Sequence, residues 1–147
     1  MQIVSKDITT VKEKAILVNG VNCQKRMGAG VAKAYYTKWP KVKEKYLQVE
    51  ARLGGVNLIP VDSHNRLYVA NCYTQEFYGF DGKRYASLEA ITKCFNSLAK
   101  FSANTAYQIY TPLVGCGLGG LDWENEVKPA LEEIEDLYDI EIIVCTL

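Results

Sequence analysis

The stretch IYTPLVGCGLGGLDW, Ile109 to Trp123, sets four glycines between a strand-like run and a helix-like one. β-Branched and aromatic residues up to Thr111 favour extended chain, and the residues from Trp123 onward carry apolar side chains at helical spacing. A strand that turns through glycines into a helix is the repeating connection of layered α/β folds, and anions are received at that turn. Gly115, Gly117, Gly119 and Gly120 let the backbone N–H groups curl around a phosphate at close range, with the positive end of the next helix behind them. The same residues also fit a bare strand-to-helix connector, so a second loop has to decide.

That second loop lies in NGVNCQKRMGAGVAKAYY, Asn19 to Tyr36, where Gly28 and Gly30 flank Ala29 just ahead of a helical pattern. Two phosphate-type loops on neighbouring parallel strands imply a diphosphate, or a phosphate plus a sugar, gripped from both sides. Neither loop ends in GKS or GKT, and GAG lacks the rest of the GxGxxG spacing, so Walker and dinucleotide-fold readings fail.

Outward from these loops, strand and helix signals alternate. Met1 to Val4, Ala15 to Asn19, Val56 to Val61, Leu67 to Tyr73, Ala106 to Thr111 and Glu141 to Thr146 read as strands. Val31 to Trp39, Val42 to Ala51, Ser87 to Phe101 and Trp123 to Tyr138 read as helices, the last with Leu131, Ile134 and Leu137 inward. Asn65 and Arg66 suit a hairpin turn, while helices separate the other strands, which therefore lie parallel. The expectation is a three-layer α/β/α sandwich around a mixed, mostly parallel sheet of about six strands, with residues 1–147 as a single domain.

Composition bounds the chemistry. The 147 residues hold 17 basic and 17 acidic side chains, which give no bulk electrostatic footprint for duplex DNA or an anionic membrane. No apolar run approaches a bilayer span and the N-terminus does not read as a signal peptide, so a soluble, cytoplasmic monomer is expected. Five cysteines without metal-ligand spacing argue against both a disulfide framework and a zinc site, and no metal or cofactor is expected. The lone histidine, His64 in VDSHNR, belongs to a solvated hairpin rather than to a nucleophile-histidine pair.

Taken together, KDIT (Lys6 to Thr9), NGVN (Asn19 to Asn22), MGAGVA (Met27 to Ala32) and VGCGLGGLDW (Val114 to Trp123) resemble, in order and spacing, the motifs of the macro domain family, the ADP-ribose-binding fold. The branch most similar contains ADP-ribose-1''-phosphate phosphatases and a terminal ADP-ribose glycohydrolase. The resemblance implies that Asp7 accepts from the adenine amino group and that Ile8 supports the ring; the residue alone equally reads as a turn or cap ahead of Thr9. It also implies that Gly28, Ala29, Gly30 and Val31 cradle one side of the diphosphate, and that Val114, Gly115, Cys116, Gly117, Leu118 and Gly119 hold the other. Asn19 and Thr74, at strand ends, complete the binding set.

For catalysis the candidates are Asn22, at the far ribose or its 1''-phosphate, and Asp122, as a group that positions water or takes a proton. Asp122 reads equally well as the N-cap of the last helix. Cys116 sits among amides that favour a thiolate, yet no cation adjoins it. In one respect the chain departs from the glycohydrolase pattern: Gln75 and Gly119 stand where that enzyme has its lysine and aspartate. The loop Phe77 to Tyr85, with Tyr78, Phe80, Tyr85, Lys83 and Arg84, reads as a lid or as an exposed hairpin tip. Three functions follow: removal of phosphate from ADP-ribose-1''-phosphate, capture of ADP-ribose without turnover, or hydrolysis of ADP-ribose from modified protein or nucleic acid.

Overall fold

In the computed structural model, which describes residues 1–79, 81 and 83–147, six strands make one sheet. They are β1 (Gln2–Ser5), β2 (Ala15–Asn22), β3 (Val56–Asp62), β4 (Leu67–Gln75), β5 (Gln108–Thr111) and β6 (Ile142–Thr146). Four α-helices cover it: α1 (Gly30–Lys38), α2 (Lys41–Gln48), α3 (Leu88–Thr105) and α4 (Lys128–Tyr138). The strand order is β1-β6-β5-β2-β4-β3, parallel except for the β3–β4 hairpin, as the helix-separated strands require.

Alternation along β2 explains the three layers. Ile16 and Val18 face the cluster built with Ile91, Phe95, Leu98, Leu131 and Ile134 of α3 and α4. Ala15, Leu17 and Val21 face the opposite cluster, with Tyr35 of α1 and Val42 and Tyr46 of α2. Successive side chains of a strand point to opposite faces, so a strand covered on both sides is apolar almost throughout. The outer edge of the sheet is β3, which carries Pro60 opposite Tyr68 and a register shift before Asp62. At the hairpin, Arg66 takes a left-handed φ of 53° and His64 is exposed.

Three expectations change. Strands β2 and β4 run on to Asn22 and Gln75, so both carry their ends directly to the first glycine loop. Ala106 is the left-handed C-cap of α3, at φ 62°, which delays β5 to Gln108. The last helix is two pieces: a π-helical turn at Trp123–Val127 precedes α4, whose second residue, Pro129, has no N–H to donate. Leu131 and Ile134 point inward as expected, but Leu137 is 72% exposed. The buried seam steps from Val127 to Leu131 and Ile134 and takes in Glu135, whose Oε2 accepts from the Ile142 N–H at 2.7 Å. At 100° per residue Leu137 lies about 60° beyond Ile134, the edge of that seam.

Candidate functional site

At the carboxyl ends of β2, β4 and β5 a cleft of about 710 Å³ opens between the two glycine loops. Its floor is Asn19, Gly20 and Asn22 of β2 with Thr74 and Gln75 of β4. One wall is the segment from Lys25 to Ala32, and the other is Pro112 to Gly115 with Gly117 to Gly119. Of the predicted binding residues, Asn19, Gly28, Ala29, Gly30, Val31, Thr74, Val114, Gly115, Gly117, Leu118 and Gly119 line it.

The loops are short of acceptors. Among the described residues, the N–H groups of Gly28 and Ala29 on one wall and of Gly115, Gly117, Leu118 and Gly119 on the other donate to no protein group. Six donors without protein partners, on residues that line one cleft, can serve an anion there. The glycines divide into two kinds. A Cβ at Gly28 or Gly117 would meet nothing within 4 Å, so these residues keep space open for a guest. At Gly115 (φ +78°) a Cβ would lie 2.7 Å from Ile91 Cδ1, and at Gly119 it would lie 2.6 Å from the Gly115 carbonyl oxygen. Those two are required by the loop's own packing.

Charge in the lining is one-sided. Lys25, Arg26 and Lys43 contribute to it, and no carboxylate does among the described lining residues. Lys25, itself at φ 63°, spends its ammonium on the carbonyls of Tyr46, at 2.6 Å, and Val49 at the end of α2. Arg26 has no ion pair among the described residues, and the Lys43 ammonium lies 4.6 Å from the Tyr36 ring centroid.

Asn22 reaches the cleft but uses its amide to shape the first loop. Its Oδ1 accepts from the N–H groups of Gln24, at 3.0 Å, and Arg26, at 3.3 Å, and its Nδ2 donates to the Arg26 carbonyl at 2.8 Å. The Tyr46 hydroxyl donates to the Asn22 carbonyl at 2.5 Å and reaches Oδ1 at 2.9 Å. Asn19 donates to Asn71 Oδ1 at 2.9 Å, and Asn71 in turn to the Val42 carbonyl at 3.2 Å, which ties the floor to α2. The Thr74 hydroxyl, on the floor of the cleft, has no protein partner among the described residues.

Four predicted residues stand outside the lining. Asp7 is exposed and caps the 3₁₀ turn Ile8–Thr10: its Oδ1 takes the Thr9 hydroxyl at 2.8 Å and the Thr9 N–H at 3.0 Å, which holds the carboxyl below the usual range. Among the described residues its Oδ2 receives no hydrogen bond. Ile8 is buried in the α1–α2 cluster. Asp122 is the N-cap of the π turn, accepting from the Asn125 N–H at 3.1 Å and its Nδ2 at 2.8 Å, so both oxygens are engaged away from the cleft. Cys116 donates to the Val114 carbonyl, and burial, followed by Asp122 and Glu126, pushes its thiol up to about 11. Burial, with Glu76, raises Cys23 as well. Neither sulfur is a thiolate at neutral pH.

Beside the cleft, Tyr78 and Gly79 reach the lining, while Lys83 pairs with Asp81 at 3.8 Å and Tyr85 donates to Asp81 at 2.8 Å. Phe80 lies outside the described residues. Arg84 meets Glu126 rather than a ligand, through two bonds of 2.5 and 2.7 Å, and the Tyr85 and Ala86 N–H groups donate to the Gly119 carbonyl. Across the first loop, the Tyr78 N–H donates to Gln24 Oε1 at 3.0 Å.

Comparison with known proteins agrees with this geometry. Across 98% of its length the chain is 29% identical, over 145 residues, to the ADP-ribose glycohydrolase OARD1 of Bos taurus, covering 90% of that protein. A crystal structure of a Bacteroides thetaiotaomicron protein superposes with a TM-score of 0.87 at 25% identity, over 100% of this chain and 99% of that one. Thermosipho africanus DarTG in complex with ADP-ribose superposes with a TM-score of 0.79 at 18% identity, over 97% of this chain and 40% of that one. The Macro domain model matches residues 18–130, and the chain belongs to the macro domain family.

Proposed function

We propose that the cleft binds ADP-ribose and that the chain hydrolyses the phosphate from ADP-ribose-1''-phosphate. The observation that supports this best is the set of six unpartnered N–H groups on facing loops, which fits a diphosphate held between them. Arg26 and Lys43 suit a ligand of high negative charge, and no carboxylate among the described lining residues adds repulsion against a terminal phosphate. Thr74 and Asn19 on the floor are proposed for the far ribose, and Asp7 Oδ2 for the adenine amino group at the open edge. Fixed amide dipoles and two cations would stabilise charge as the phosphate ester is cleaved, without reorganising as it develops. The relative named as an ADP-ribose glycohydrolase and the ADP-ribose complex on the same fold support the nucleotide.

A second reading, capture without turnover, draws on one observation: Asn22 and Asp122 both spend their polar atoms on the protein itself. Titration calorimetry with ADP-ribose and phosphate release from ADP-ribose-1''-phosphate separate the two. Binding with release is expected; binding without release at any enzyme concentration selects the reader. No heat with ADP-ribose overturns both.

A further inference from the structure

A second cavity, of about 270 Å³, opens where the connection from α2 to β3 meets the sheet, and Glu50, Arg52, Gly55, Val56, Asn57 and Tyr73 line it. None of the six lines the cleft. After α2 the chain turns at Gly54, φ 82°, and the Gly55 N–H closes on the Arg52 carbonyl at 2.8 Å. The Gly54 N–H then donates to the Tyr73 carbonyl at 2.8 Å, and the Tyr73 N–H to the Gly55 carbonyl at 3.0 Å, which fixes the turn to β4. Asn57 pairs in register with Asn71, two residues before Tyr73, so Asn57 and Tyr73 stand on the same face of the sheet.

Two polar atoms mark this cavity. The Tyr73 hydroxyl and Asn57 Oδ1 are buried without a hydrogen-bond partner, and among the described residues no other buried side-chain oxygen or nitrogen is left so. Native interiors pair such groups, because an orphan keeps the full cost of its lost hydration. Both orphans belong to residues of one cavity, and a guest in it is their available partner. Burial, followed by Cys23, pushes the Tyr73 phenol up to about 12, so at neutral pH it is a donor, whereas Oδ1 is an acceptor. Glu50 and Arg52 add one charge of each sign; both are exposed, and neither forms an ion pair among the described residues. A bare anion would meet Glu50 as well as Arg52, and a bare cation the reverse. A guest that carries both charges finds a partner for each.

We propose that the second cavity is a binding site for a zwitterionic α-amino acid, its carboxylate held by Arg52 and the Tyr73 hydroxyl and its ammonium by Glu50 and Asn57 Oδ1. This site needs no part of the ADP-ribose reading.

The test is NMR titration of the whole chain with a panel of the common α-amino acids, each to about 50 mM. N-acetylglycine, which lacks the ammonium, and glycinamide, which lacks the carboxylate, are titrated beside them. Saturable shifts at the Gly55 and Asn57 amides are expected with at least one amino acid. The two single-charge compounds should bind at least about tenfold more weakly, each having lost a charge-assisted pair. Arg52→Gln and Glu50→Gln alter exposed side chains and should each weaken the amino acid about tenfold in a folded protein. Tyr73→Phe should weaken it as well, while its thermal midpoint stays at or above the parent's, because the hydroxyl it removes has no protein partner. No saturable binding by any member of the panel overturns the proposal and leaves the two orphan atoms to ordered water. Binding of N-acetylglycine or glycinamide as tight as that of the amino acid overturns the zwitterion. Affinity unchanged in the folded Arg52→Gln and Glu50→Gln proteins, or shifts at Gly117 and Leu118 in place of Gly55 and Asn57, overturns the site.

Discussion

Single glycines in the second loop do opposite jobs, and substitution separates them. Gly117→Val adds a side chain into open space, so the protein should fold with a melting temperature within about 2 °C of the parent, since nothing is displaced. ADP-ribose affinity should fall at least about tenfold, because the branched side chain occupies the position proposed for the diphosphate; calorimetry on the folded variant reads this directly. Gly119→Asp restores the residue found at that position in the glycohydrolase pattern, yet its Cβ would approach Gly115 O to 2.6 Å and Ala86 Cβ to 2.8 Å. The expected result is destabilisation by about 1–3 kcal/mol and no gain in glycohydrolase activity. A denaturant midpoint equal to the parent's would show that this loop relaxes more easily than its contacts indicate. The motif was legible because glycine is the residue that permits such turns. Which glycine leaves space and which is jammed was not, since that depends on Ile91 and Ala86, distant in sequence.

Elements connect the site to the rest of the fold. The segment leading into α3 is fastened to the second loop by Arg84–Glu126 and by two N–H groups on the Gly119 carbonyl, and α3 itself starts on the Ser87 cap, which accepts from the Ala90 N–H. Arg84→Ala should raise amide exchange at Tyr85 and Ala86 while lowering global stability by no more than about 1 kcal/mol, because an exposed ion pair is screened. Exchange at those amides equal to the parent's would mean that the Gly119 carbonyl alone holds the segment. Periodicity located all four helices, because apolar side chains must share a face. It misplaced Leu137 because each i+3 step drifts about 60° around an α-helix, so the third member of Leu131, Ile134 and Leu137 leaves the buried face. Asp122 was ambiguous for a related reason: a short carboxylate before a helix suits either a cap or a catalyst, and only the positions of the Asn125 donors distinguish them.

On the scale of the whole molecule, charge and acid response follow from where the carboxylates are tied. Hydrogen bonds hold several below their usual range: Asp7 through Thr9, Asp62 through Asn65, Asp122 through Asn125, and Glu126 through the Arg84 side chain. A carboxyl depressed in the folded state stabilises that state above its unfolded pKa, and the contribution disappears as pH falls through the folded value. Thermal midpoints should therefore stay level from neutrality to about pH 5 and decline below about pH 4. A decline that begins near pH 6 would contradict it. Charge totals could not disclose the cationic lining of the cleft, because 17 cancels 17; only the folded chain brings Lys25, Arg26 and Lys43 together there.

The sheet's two rims bear on what the protein does at high concentration. One rim is β3, where Pro60 has no N–H to offer and the register shifts before Asp62; the other is β1, four residues long. An intruding strand needs a long, continuous ladder of donors and acceptors; Pro60 and the register shift interrupt one rim, and the other offers only four residues. Both rims thus disfavour amyloid-like stacking of copies, and they do so at the sheet edges, away from the open cleft at the carboxyl ends of the strands.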